Sequence, residues 1–152
     1  MHLPQINADE RRYKHSELTE KIIGIFYDVY NELGFGFLEK VYEEAMAVSF
    51  KEQGIPFETQ VSIPVWFHGR EIGSYDADLV VNGLVLIELK ACKALEPAHE
   101  AQLLHYLRST EIEVGLLLNF GSRPQVKRLA FENDRKKISV HLRKSAAKDF
   151  SS

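Results

Sequence analysis

Apolar residues recur at helical spacing in "HSELTEKIIGIFYDVYNELG": Leu18, Ile22, Ile25, Phe26, Val29 and Leu33 form one stripe. The stripe predicts an amphipathic helix with Ser16 as N-cap and Gly34 as terminator. "FLEKVYEEAMAVSFKEQG" predicts a second helix, ending near Gly54. The pattern then changes. "PFETQVSIPVWF" reads as a strand, and Pro64 confines it to a sheet edge or a bulge because proline has no amide to donate. His68-Gly69 reads as a turn, "EIGSYDADLVV" as the next strand, and Asn82-Gly83 as a hairpin turn. "LVLIELK" is almost continuously apolar, the mark of a central strand. Pro97 opens a helix, "PAHEAQLLHYLRST", and "EVGLLLNF" is a second buried strand that can lie parallel to the first across that helix. "VKRLAF" and "KISVHL" are candidate extensions of the sheet. The order α-α-β-β-β-α-β predicts an α/β fold, a central mixed sheet flanked by helices. With 152 residues and no long linker, one domain is expected over 1–152, its core at about 16–131.

The central strand breaks its own pattern at Glu88 and Lys90, which share a face because strand side chains alternate. Asp78, late in the preceding strand, is their natural partner, and the Asn82-Gly83 turn decides whether they meet. A two-residue loop pairing Val81 with Leu84 sets Asp78 opposite Ile87, on the wrong face. One extra loop residue, pairing Val81 with Val85, sets Asp78 opposite Glu88. Pairing Val80 with Leu84 makes them diagonal neighbours. Two buried carboxylates repel each other and are costly to desolvate. A hard divalent cation such as Mg2+ or Mn2+ removes that cost by taking their oxygens as ligands, and it polarises a phosphoryl group and activates water. Lys90 adds positive charge where a phosphorane forms. The competing reading is an ordinary surface ion pair of Lys90 with Glu88 or Asp76.

Two further groups bear on that choice. Gln102 and Tyr106, four apart on the helix after Pro97, stack on one face, with His99 beside them. A buried Gln102 facing the sheet would orient a water or phosphate; exposed helix polarity is the alternative. In "GFGFLEKVY", Glu39 and Tyr42 share a face at the start of the second helix. Glu39 would add a carboxylate to the site, or would simply complement the helix's positive end.

Composition narrows the classes. Net charge is −3, hydrophobic residues are 45% and charged residues 27%, an ordinary globular balance. Residues 1–120 hold 10 Lys/Arg against 19 Asp/Glu, whereas 121–152 hold 9 against 3, so any ionic attraction to a polyanion falls at the basic C-terminal segment. Cys92 is the single cysteine, which excludes an internal disulfide and a multi-cysteine zinc or iron–sulfur site within one chain. No apolar run suits a membrane span and no signal pattern opens the chain, so a cytoplasmic location is expected.

Gly36-x-x-Glu39-x-x-Tyr42 resembles the signature of the bacterial GxxExxY proteins, a family placed in the PD-(D/E)xK nuclease superfamily with a restriction-endonuclease-like fold. Asp78 and Glu88-x-Lys90 match the motif's Asp and (D/E)xK, although Ala77 stands where the motif has Pro. Gln102-x-x-x-Tyr106 resembles the QxxxY motif of RecB-like and Cas4-like nucleases, without the latter's cluster cysteines. The resemblance runs from about Glu17 to Phe131, and the superfamily's αβββαβ core matches residues 37–119. It implies Mg2+- or Mn2+-dependent hydrolysis of DNA or RNA, DNA being the first expectation, with metal on Asp78, Glu88 and Glu39. Lys90 would assist the attacking water, and Gln102 and Tyr106 would position water, metal shell or phosphate. A homodimer or a partner protein is compatible with so small a chain. A catalytically silent nucleic-acid-binding or assembly module, or a structural cation site, are the competing functions.

Overall fold

The computed structural model describes residues 14–136. Helices α1 (Ser16–Leu33) and α2 (Glu39–Glu52) precede strands β1 (Phe57–Phe67), β2 (Arg70–Val81) and β3 (Val85–Lys90); helix α3 (Pro97–Arg108) and strands β4 (Val114–Phe120) and β5 (Pro124–Ala130) follow. The described strands form one mixed sheet in the order β1-β2-β3-β4-β5. β3 and β4 are parallel and the other neighbours antiparallel. The α/β architecture expected from the sequence is therefore present, with "VKRLAF" lying mostly in β5. "KISVHL" lies outside the described residues.

Helices cover both faces of the sheet. Ile22, Ile25, Phe26 and Val29 of α1 and Tyr42, Met46 and Phe50 of α2 pack with Leu79, Val81, Val85, Ile87 and Leu89. On the opposite face, Leu103, Tyr106 and Leu107 of α3 pack with Val80, Leu86 and Leu117. Burial of β3 on both faces is why its apolar run is continuous. Gly115 belongs to this packing: a Cβ there would stand 2.9 Å from a Leu103 methyl.

The helix ends differ in one place from expectation. His15, not Ser16, occupies the N-cap of α1, in the left-handed region, and Ser16 is the first helical residue. Gly34 ends the helix as predicted, at φ 71°, its amide donating to the Tyr30 carbonyl at 2.8 Å. Pro64 lies in edge strand β1, one residue before a register shift at Val65/Trp66, which joins both of its permitted settings.

Candidate functional site

The β2–β3 connection sets the site's geometry. Asn82 and Gly83 take φ of 52° and 66°, and the Leu84 amide closes the turn on the Val81 carbonyl at 2.9 Å. These are the signs of a type I′ turn. Leu84 itself stays unpaired, so Val81 pairs with Val85, Val80 with Leu86 and Leu79 with Ile87. This is the odd register, and its continuation sets Asp78 against Glu88.

At that point the backbone ladder ends and side chains replace it. The Asp78 amide donates to Glu88 Oε1 at 3.2 Å, and the Leu89 amide donates to Asp78 Oδ2 at 2.7 Å. The β1–β2 ladder is interrupted at the same place: pairs form at Thr59–Leu79 and Val61–Ala77, while Gln60 between them takes φ 51°. The carboxylates thus sit where β2 parts from β3. Charges on α2 reach them from one face of the sheet, and α3 reaches them from the other.

The electrostatics follow from that placement. Burial pushes the Glu88 carboxyl up to about 8, and the Asp78 charge adds to the effect. The Asp78 amide and the Lys90 ammonium pull the other way and do not offset burial. Asp78 is raised as well, by burial first and then by Glu43 and Glu39, against the stabilising Leu89 amide and a Gln60 hydrogen bond. Glu39, exposed at the first position of α2, acts on both acids and so belongs to their neighbourhood. Lys90 is half-buried beside Asn119 of β4; among the described residues no ion pair within 4.0 Å joins it to Glu88 or Asp76, so the surface ion-pair reading does not hold.

Two residues were not anticipated. Glu43 is buried, accepts hydrogen bonds from Gln60 Nε2 and from Lys40 Nζ (2.9 Å), and raises the Asp78 carboxyl. Its spacing of four from Glu39, one helical turn, is the signal that marks it. Tyr75 stacks on Tyr106 with ring centroids 3.3 Å apart, and its buried hydroxyl has no hydrogen-bond partner among the described residues. Strand alternation gave no signal for Tyr75, because it lies an odd number of residues from Asp78. The Tyr106 hydroxyl is pushed up to about 12 by burial and by the Glu88 and Asp78 charges, against a hydrogen bond with Gln102. Of the two readings of Gln102 the exposed one holds: it lies at the edge of α3 and reaches the site through Tyr106.

The surroundings are fixed by amide and hydroxyl side chains. Buried Asn119 accepts the Cys92 amide and donates to the Cys92 carbonyl, both at 3.0 Å, and donates to Gln125 Oε1 at 2.9 Å. It clamps the chain two residues after Lys90. Gly121 packs against the same carbonyl, where a Cβ would come within 2.2 Å of the Cys92 oxygen. Buried Tyr42 donates to the Gly34 carbonyl at 2.6 Å, accepts the Phe37 amide at 3.2 Å and stacks on Phe120 at 4.0 Å. It braces the loop before Glu39 and faces the core, away from exposed Glu39. His99 accepts the Glu96 amide through Nδ1 in a capping box, and exposed His105 lies apart from it on α3. Lys127 pairs with Glu100 at 3.4 Å and Arg128 donates to the Lys14 carbonyl at 2.8 Å. Trp66 is half-buried, and exposed Phe67 stacks on His68.

Asp78, Glu88 and Glu39 offer only oxygen donors, the chemistry a hard divalent cation prefers. Each of the two central acids accepts one backbone amide, and Asp78 also takes a hydrogen bond from Gln60. Among the described residues, no three His, Cys, Asp or Glu side chains converge at ligand distances as they stand. Nor is any described helix long and apolar enough to cross a membrane.

Comparison with known proteins follows the same line. No curated protein matches the chain. The crystal structure of SSO0001 aligns at 20% identity with a TM-score of 0.49, over 70% of this chain and 56% of that one. An alkaline exonuclease (LHK-Exo) from Laribacter hongkongensis aligns at 12% identity with a TM-score of 0.46, over 74% of this chain and 66% of that one. The chain thus spans less than two thirds of either. Residues 16–129 match the sequence profile of the PD-(D/E)XK nuclease superfamily, a span that holds every acid of the β2–β3 site together with Lys90, Gln102 and Tyr106. The chain belongs to the PD-(D/E)XK nuclease superfamily.

Proposed function

We propose that the chain is a nuclease that hydrolyses phosphodiester bonds with Mg2+ or Mn2+, acting on DNA rather than RNA. The observation that carries this reading is the odd β2–β3 register, which interlocks Asp78 with Glu88 and sets two carboxyl groups side by side. Asp78, Glu88 and Glu39 would hold the metal, and Glu43 would support Asp78. Bound there, a divalent cation supplies Lewis-acid polarisation of the phosphoryl group and a more acidic water. Lys90 follows Glu88 on the same strand face and stabilises negative charge as the water oxygen bonds to phosphorus and the ester P–O bond breaks. The attacking water gives up its proton to solvent, and the leaving oxygen departs as an alkoxide and takes a proton from solvent. Tyr106, kept a neutral phenol by burial and by the two acids, donates a hydrogen bond rather than a charge, and Gln102 sets its orientation.

The test is a cleavage assay with purified protein on single-stranded, duplex, flapped and branched DNA, and on RNA, with Mg2+ or Mn2+. Cleavage is expected, and Lys90→Ala should lower it by about a hundred-fold or more. No cleavage of any substrate, with binding that Glu88→Gln leaves intact, would instead identify a catalytically silent nucleic-acid-binding module.

A further inference from the structure

In β2, Leu79 and Val81 pack on the side of α1 and α2, and regular alternation would send Ala77 and Tyr75 to that side as well. They pack instead on the α3 side, with Ile63, Val80 and Leu86. The change of face falls at Asp78, between the Thr59–Leu79 and Val61–Ala77 pairs, where Gln60 takes φ 51°. The irregularity at which β2 parts from β3 therefore also turns Tyr75 onto the face that carries Tyr106. There the two rings stack, with centroids 3.3 Å apart and planes 23° from parallel. Tyr106 is buried, and Tyr75 covers one face of its ring. The Tyr75 hydroxyl, although buried, makes no hydrogen bond among the described residues. It adds nothing that holds the ring in place, so the flat face is what Tyr75 gives to Tyr106.

We propose that Tyr75 is a positioning residue for the cleavage reaction: its ring fixes the plane of the Tyr106 ring and so aims the Tyr106 hydroxyl at the β2–β3 site. Tyr75 has this role only if the chain is the nuclease proposed above. A tyrosine side chain turns about two bonds. The helix backbone and the core limit the first, and a ring stacked on its face limits the second. Gln102, one turn earlier on α3, then holds the hydroxyl itself. Both Glu88 and Asp78 act on that hydroxyl, which lies within reach of their charge. A hydrogen bond to a reacting phosphate weakens steeply when misdirected, so a tilt of the Tyr106 ring costs rate rather than substrate binding.

The test follows Mn2+-dependent cleavage, by the full chain, of a labelled DNA hairpin with a single-stranded tail. Tyr75→Leu keeps an apolar side chain but no flat face, and it should lower kcat on the order of tenfold or more while leaving KM unchanged. Tyr75→Phe returns the ring and should restore kcat. Tyr106→Phe should itself lower kcat, and Tyr75→Leu added to it should lower kcat no further, because the hydroxyl being aimed is gone. A merely structural loss would instead multiply with that of Tyr106→Phe. Thermal unfolding of each variant sets an assay temperature below its transition; should Tyr75→Leu not fold, Tyr75→Met takes its place. Native kcat in Tyr75→Leu, a multiplied loss in the double variant, or a Tyr75→Phe as slow as Tyr75→Leu would each overturn the role of the ring and leave the nuclease reading standing. A native protein that cleaves neither this hairpin nor any substrate named above would overturn the nuclease reading and the positioning role together.

Discussion

Asp78 and Glu88 hold one another's strands. The Glu88 carboxylate takes the Asp78 amide, and the Asp78 carboxylate takes the amide of Leu89, next to Glu88. Each acid fills the place that a backbone carbonyl would occupy in a continued ladder, Glu88 at a buried position and Asp78 at a half-buried one.

Glu88 makes stability depend on pH. Its carboxyl stands at about 8 in the fold, well above its unfolded value, so between the two the native state binds the extra proton. Stability from this group is full below the unfolded pKa and is lost as pH rises through about 8. Glu88→Gln keeps an oxygen for the Asp78 amide and abolishes the titration. Without metal, it should be more stable than the native protein at pH 8 by on the order of a few kcal/mol. The difference should shrink towards zero near pH 4.5. Urea unfolding of both proteins across this range measures it; a difference that does not vary with pH would reject a raised Glu88.

Metal binding should release protons. A carboxyl at about 8 is mostly protonated at pH 7 and must ionise to ligate. Mn2+ titrations by calorimetry, in buffers of different ionisation enthalpy, should show close to one proton released at pH 7 and less at pH 9. Glu88→Gln should show weaker binding and no such release. Identical heats in all buffers would exclude Glu88 as a ligand.

Asn119→Ala should destabilise by about 2–4 kcal/mol, because it strands the part-buried amide and carbonyl of Cys92, while Gln125 keeps the Leu95 amide. Lys90 lies two residues from this clamp, so cleavage should fall in the fraction that remains folded. Thermal unfolding with parallel activity measurement checks both effects; a change under 1 kcal/mol, on the order of a surface substitution, would contradict the clamp.

Tyr75→Phe should be neutral or stabilising, by up to about 1 kcal/mol, since it removes a buried hydroxyl that has no partner among the described residues and keeps the ring on Tyr106. A loss of stability in denaturant unfolding would show that the hydroxyl is satisfied in solution.

Much of this arrangement is legible in the sequence. The Asn82-Gly83 signal locates the hairpin, and the apolar run of β3 announces a strand buried on both faces. Register is harder. Whether Leu84 joins the turn or the strand is a choice between conformations of similar local cost, and packing of Leu79, Val81, Val85 and Ile87 on one face decides it. Spacing alone left Gln102 open between buried and exposed, and its neighbour Leu103 on the helix decides it. A rotation that buries Leu103, Tyr106 and Leu107 leaves Gln102 at the rim. Glu43 carries a signal in its spacing from Glu39, but its partner Gln60 takes a left-handed backbone that no residue-type signal announces.

The shared rung between β2 and β3 bears on how inactive variants should be made. An alanine at Asp78 or Glu88 deletes a strand fastener as well as a charge, so lost cleavage would not distinguish an empty metal site from a slipped hairpin. Amide replacements leave an acceptor for the same N–H and remove only the titrating proton. Asp78→Asn and Glu88→Gln are therefore the substitutions that separate the architecture of this sheet from its chemistry.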